Sequence, residues 1–361
     1  MSLTRRALLG AAPAAAALVA CGRHDDAANA APAVAPVRPL KDTAPFRIGT
    51  CLMTAELDDP QFTGLVQRNF SQVTPEWEMK MERILAADGS LALDAADRIA
   101  GFCRDSRLAM HGTTLVWYAQ DPPTFEALKH DRAGFEDHLR DYIRQVVGRY
   151  RGLARGWDVV NEAVAEDGNG YRGGVWAEGL GDDFARVPFE MAREADPDAV
   201  LFLNDYNLES MPAKLDAFQR LAERLLKAGA PLTGLGTQSH LGFDTPPGQA
   251  GAAVKALARF GLPIHVSELD ITTHKPGLSL GSPSDPARLQ AQARVAAEIA
   301  AAFADLPAAQ RYAFTIWGVR DKDSWLRGSA QGAPDDAPLL FDAAGAPKPA
   351  LAAVEAAFAR R

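Results

Sequence analysis

Two stretches decide how this chain folds: GWDVVNE at 156–162 and PIHVSE at 263–268. Each begins on small or apolar residues, carries β-branched residues through its middle and stops on a glutamate. Short β-rich runs of this kind, bounded by helix-forming sequence, are the signal of buried strands. Working outward, six more runs share the shape: FRIGT (46–50), QVTPE (72–76), MHGTTLVW (110–117), VLFLND (200–205), GLGTQSH (234–240) and YAFTIW (312–317). Between them lie segments rich in Ala, Leu, Glu, Arg and Gln, such as 213–228 and 286–304, which favour helix. Eight strand–helix alternations predict an α/β chain folded as a parallel eight-stranded (β/α)8 TIM barrel. A doubly wound open sheet would want a Gly-rich phosphate loop after its first strand, and none follows FRIGT.

The ends of the runs carry the chemistry. They deliver Glu76, Trp117, Glu162, Asp205 with Asn207, Gln238 with His240, Glu268 and Trp317. In a barrel, strand carboxyl ends converge on one face, so these residues should meet in a single cleft. Cleaving a glycosidic bond needs one protonated and one ionised carboxyl group, about 5–5.5 Å apart when configuration is retained. Glu162 and Glu268 end the fourth and seventh runs and supply such a pair. Either glutamate alone would read as a solvated strand-end residue.

At 361 residues, 47% hydrophobic and 23% charged, the chain has ample length for a large core. A formal charge of −8 argues against a nucleic-acid partner. Residues 1–20 read as an export leader: Arg5 and Arg6 precede a small-apolar run, Ala7 to Ala20, too short to span a bilayer. The arginine pair resembles a twin-arginine signal, and Leu18, Val19, Ala20 and Cys21 resemble a bacterial lipobox, which would make Cys21 the lipidated N-terminus. Gly22 after it resembles the sorting pattern of the outer membrane. A periplasmic or outer-membrane-anchored lipoprotein is therefore expected, touching the membrane through its lipid only. Residues 21–44 are Ala- and Pro-rich and read as a solvated tether, with a single catalytic domain over 45–361. Cys51 and Cys103 define neither a disulfide framework nor a metal site and read as small buried hydrophobes. No cofactor motif is visible, the expected metal complement is none, and a monomer is expected.

WDVVNEA (157–163) and VSELDI (266–271) resemble the two signature segments of glycoside hydrolase family 10, the xylanase family. LNDYNLE (203–209), GLGTQSHL (234–241), FTIWGVRD (314–321), PLLFD (338–342) and PKPA (347–350) continue the resemblance in order, over roughly 45–361. It implies retaining hydrolysis of internal β-1,4 bonds in xylan or xylo-oligosaccharides, with Glu162 as acid/base and Glu268 as nucleophile. It further implies that Asn161 holds the sugar 2-hydroxyl and that His240, partnered by Asp270, orients the nucleophile. Glu76, Lys80, Trp117, Gln120, Asn207, Gln238, Trp317 and Trp325 are the implied sugar contacts.

Three positions depart from the family pattern. EWEMK (76–80) places Trp77 where the family has Asn, and GTTLVWY (112–118) puts Thr113 and Tyr118 where it has His. His111 cannot take over from position 113: the two share a strand face but stand about 6.6 Å apart along it. The sugar pocket should therefore be rebuilt, with Trp77 among its contacts. The alternatives are a hydrolase for decorated xylan fragments or another β-1,4 glycan, or a non-catalytic polysaccharide-binding lipoprotein, which would be expected to lack one carboxylate.

Overall fold

The computed structural model describes residues 38–172, 174–275 and 282–360; the leader, Cys21 and the tether up to residue 37 lie outside them. Nine strands form the sheet: β1 (Arg47–Leu52), β2 (Gln72–Pro75), β3 (Ala109–Trp117), β4 (Ala154–Asn161), β5 (Val200–Asp205), β6 (Gly234–Thr237), β7 (His240–Gly242), β8 (Ile264–Thr272) and β9 (Arg311–Ile316). Every pairing is parallel, β9 joins β1 to β8, and β6 pairs with both β5 and β8, so the sheet closes on itself. β7 is a short continuation of β6, which leaves eight staves, as the alternation of runs predicts.

The helices bury one stripe each against this barrel. The helix Asp94–Asp105 turns Ala96, Ile99, Ala100 and Cys103 inward, the spacing of one helical face. Two begin on proline behind an acidic cap: the Asp59 carboxylate accepts from the amides of Gln61 and Phe62 ahead of Pro60–Asn69, and Asp285 accepts from Ala287 ahead of Pro286–Ala304. Residues 40–43, within the stretch whose composition reads as tether, are helical. A helical turn, Leu40–Thr43, buries Leu40, and the Arg38 guanidinium reaches Glu355 at 3.0 Å. Cys51 and Cys103 are unpaired and buried, as expected of small apolar fillers.

Inside the barrel, one layer is aromatic: His111, Phe202, His265 and Tyr312 pack with ring centroids 4.5–5.6 Å apart. His111 faces the barrel interior two residues before the cleft-lining Thr113, so its depth along β3 places it in the core rather than the cleft. β6 stops at Thr237 because Ser239 adopts a left-handed backbone, φ 63°, and its hydroxyl joins that of Thr237 on the Glu209 carboxylate, each at 2.6 Å. The interruption separates Gln238 from His240.

Candidate active site

The strand carboxyl ends surround a cleft of about 770 Å³. Glu162 follows the last residue of β4 and holds a left-handed φ of 55°, a conformation costing a non-glycine residue about 1–3 kcal/mol. Its amide donates to the Asn204 carbonyl at 2.8 Å. The carboxylate accepts at Oε1 from Gln238 Nε2 (2.9 Å) and Asn161 Nδ2 (3.3 Å), while Arg172 Nη1 stands 3.9 Å from Oε2.

Glu268 lies within β8, which runs on to Thr272. Its amide donates to the Gln238 carbonyl at 3.0 Å. Oε1 accepts from Asn204 Nδ2 at 3.2 Å, and Oε2 lies 3.5 Å from His240 Nε2. Burial pushes the Glu268 carboxyl above the usual carboxylate range, and His240 pulls against that shift. His240 is itself in the register of Asp270 across β7 and β8, with Nδ1 3.0 Å from Asp270 Oδ2. Trp325 Nε1 donates to the same oxygen at 2.8 Å. Burial disfavours the imidazolium, but Asp270 and Glu268 outweigh it and carry the pKa up to about 10. At neutral pH a cation therefore faces Glu268.

The two glutamates are linked through carboxamides. Asn204 Nδ2 donates to both Asn161 Oδ1 (3.0 Å) and Glu268 Oε1, and Asn204 Oδ1 accepts from the Ser267 hydroxyl (2.9 Å). Gly236 on the neighbouring strand makes this possible, because any Cβ there would collide with the Asn204 carboxamide. The arrangement fixes both carboxylates on one rigid frame while leaving each exposed to the cleft.

One wall carries Glu76, Trp77, Lys80 and Trp117. The Lys80 ammonium lies 4.5 Å from the Trp77 ring centre and 4.9 Å from that of Trp117. Burial pushes Glu76 up to about 7, against the Cys51 thiol donating at 3.4 Å and the charge of Lys80. Trp317, Trp325 and Leu326, which follow β9, also line the cleft. A third side is formed by Tyr206, Glu166 and Asn207, whose Nδ2 donates to Glu166 at 2.9 Å. Arg172 bonds Glu166 (2.6 Å) and the Tyr206 hydroxyl (2.7 Å) and packs over Tyr118 at 4.5 Å.

All the sequence-predicted contacts line this cleft except two. Gln120 is a correction: the chain turns back through a hydrogen bond from its amide to the Trp117 carbonyl, and the side chain is buried away from the cleft lining. Asp205 is fully buried as well. It accepts from the Val164 amide (3.1 Å) and pairs with Lys214 (3.0 Å), so it braces the loop after Glu162 instead of facing sugar. Sequence reasoning missed Asn204, Arg172, Glu166 and Tyr206.

The family model described as glycosyl hydrolase family 10 matches residues 40–357. The chain belongs to glycosyl hydrolase family 10. This family 10 chain is 34% identical over 309 residues to endo-1,4-beta-xylanase 2 of Claviceps purpurea, covering 85% of itself and 86% of that protein. It is 35% identical to endo-1,4-beta-xylanase A of a Caldicellulosiruptor strain over 84% of itself, but spans only 45% of that relative's length. Among solved structures, a family 10 protein from Paenibacillus barcinonensis superposes with a TM-score of 0.82 at 28% identity, over 89% of this chain and 97% of that one. Native xylanase 10B of Thermotoga maritima gives 0.79 at 30% identity, over 89% and 98%. Membership makes the chain a glycoside hydrolase. Against that family background, Trp77 and Thr113 both line the cleft and Tyr118 supports Arg172, so all three departures border the site.

Proposed function

We propose that this chain hydrolyses internal β-1,4 bonds of xylan or xylo-oligosaccharides with retention of anomeric configuration. Glu268 attacks the anomeric carbon while Glu162 donates its proton to the departing glycosidic oxygen, so the C–O bond breaks as a glycosyl ester forms. Glu162, now a carboxylate, then takes a proton from water as that water attacks the same carbon and releases Glu268. The observation that carries this reading is the difference between the two carboxylates' surroundings. Glu268 faces the Asp270-paired His240 at 3.5 Å, whose positive charge offsets the burial penalty on an anionic nucleophile, whereas Glu162 takes its hydrogen bonds from the neutral carboxamides of Gln238 and Asn161 and meets Arg172, a cation already engaged by Glu166 and Tyr206, only at 3.9 Å. Asn161, fixed by Asn204, matches the family position that holds the sugar 2-hydroxyl.

The substrate class is supported by relatives named endo-1,4-beta-xylanase that match most of the chain. A second reading, preference for decorated xylan fragments or another β-1,4 glycan, draws on Trp77, Thr113 and Tyr118 at the cleft. Both carboxylates stand in one cleft, which argues against a purely binding role. The leader and Cys21 support an exported, lipid-anchored enzyme. The test is Glu268→Ala on a panel of xylan, glucuronoxylan, arabinoxylan, mixed-linkage glucan and cellulose. Turnover should fall by several orders of magnitude on whichever glycan the wild type cleaves, and azide should restore part of it as glycosyl azide. Wild-type turnover in the variant removes Glu268 from the mechanism.

A further inference from the structure

We propose that the barrel interior binds one divalent transition-metal ion of the zinc class on His111, Asp158 and His265, separate from the sugar cleft. These residues sit on β3, β4 and β8, and all three are buried to 1% exposure or less. One coordinating atom from each lies within 4.8 Å of the other two. None of the three lines the cleft.

The hydrogen bonding leaves each side chain with a ligand atom to spare. His111 Nδ1 is 3.1 Å from the Tyr312 hydroxyl, and His265 Nε2 is 2.7 Å from Thr315 Oγ1. With those nitrogens protonated and donating, His111 Nε2 and His265 Nδ1 each present a lone pair. Such an outer hydrogen bond is how proteins fix the tautomer of a metal-binding imidazole. Among the described residues, neither nitrogen has a hydrogen-bond partner, and Asp158 Oδ1 has none either. Buried polar atoms without partners are costly and uncommon, and here three of them belong to one cluster. His111 Nε2 and Asp158 Oδ1 approach to 3.1 Å without hydrogen-bond geometry. Two ligands about 2.0–2.2 Å from a tetrahedral ion stand roughly 3.3–3.6 Å apart, so this spacing is close to that of a shared ion.

Two imidazoles and one carboxylate suit zinc or cobalt better than calcium or magnesium, which prefer all-oxygen shells. The single negative charge of Asp158 would be overbalanced by the ion, and a water molecule would complete four-coordination. Because the cluster is sealed from solvent, the ion would enter as the chain folds and clasp β8 to the adjacent pair β3 and β4. Its effect would be on stability, not on bond cleavage. The sequence concealed the set, since its members lie 47 and 107 positions apart on three separate strands.

The experiment is to unfold the full chain in guanidinium with a chelator, refold it with or without Co²⁺, dialyse it and count metal by mass spectrometry. About one equivalent, an intense four-coordinate cobalt spectrum and a higher Tm than the metal-free refold are expected. His240→Asn, which removes the cleft imidazole, should keep that spectrum, whereas His265→Gln and Asp158→Asn should lose it. Wild-type metal below about a tenth of an equivalent, or equal metal in His265→Gln, overturns the proposal. If both core variants fail to refold, wild-type stoichiometry and spectrum decide: a weak octahedral spectrum, or one lost in His240→Asn, also overturns it.

Discussion

Replacing Trp77 by asparagine, the residue the family places there, removes one of two indoles that flank the Lys80 ammonium. Trp77 lines the cleft, and Lys80 Nζ stands 4.5 Å from its ring centre. Among the described residues, no carboxylate comes within ion-pair distance of Lys80, so the indoles are its close neighbours. One cation–π contact contributes about 0.5–1 kcal/mol when exposed and about 2 when desolvated. A sugar ring stacked on the indole would add about 1 kcal/mol. With the exposed value the total loss is about 1.5–2 kcal/mol, which corresponds to roughly a 10- to 30-fold fall in kcat/KM. Trp77 is uncharged and makes no side-chain hydrogen bond to Glu162 or Glu268 among the described residues, so losing its ring should act equally on ground and transition states and the loss should fall on KM. Initial rates on xylo-oligosaccharides of increasing length and on polymeric xylan measure this. Gained activity on long unbranched xylan would mean that Trp77 caps the cleft, and unchanged KM on every substrate would mean it contacts neither sugar nor a sugar-binding Lys80.

For Glu162→Ala, activity on natural polysaccharide should fall far more than on aryl glycosides with good leaving groups, which need little proton donation; equal losses contradict the acid role. Cys21→Ser should move the protein from the membrane fraction to the soluble fraction without changing specific activity, and a wild type already soluble refutes the lipid anchor. Stability should fall steadily as pH rises from about 5 to about 9. Burial raises Glu76 to about 7 and Glu56 to about 8, and His240, despite burial, is raised to about 10 by Asp270 and Glu268. Across that window the folded chain retains protons that the unfolded chain has released. Calorimetric Tm measured along the series checks the sign, and a Tm that climbs toward pH 9 contradicts it.

Much of the barrel is legible in the sequence because its strands are buried on both faces and read as short apolar runs. The helix predicted at 286–304 spans Pro286–Ala304, announced by Asp285 and Pro286. Strand ends are less visible: β8 continues four residues past Glu268, since Asp270 must still pair with His240, and β6 breaks where Ser239 turns left-handed. Strand-end position pointed to Glu162, Glu268, Trp117 and Trp317, which line the cleft, but could not separate Asp205, which braces a loop, from residues that face it. Asn204 escaped notice because one carboxamide in an apolar run looks like any other polar break. Its role depends on Asn161, Gly236, Ser267 and Glu268 arriving from three other strands.

The most direct test of the account is to trap the intermediate. The wild-type enzyme would be incubated with a 2-deoxy-2-fluoro xylobioside carrying a good leaving group, then digested and mapped by mass spectrometry. The account predicts one glycosyl adduct per chain, on the peptide containing Glu268 and on that carboxylate, and none in Glu268→Ala. An adduct on another residue, or no adduct together with products of inverted anomeric configuration, contradicts it.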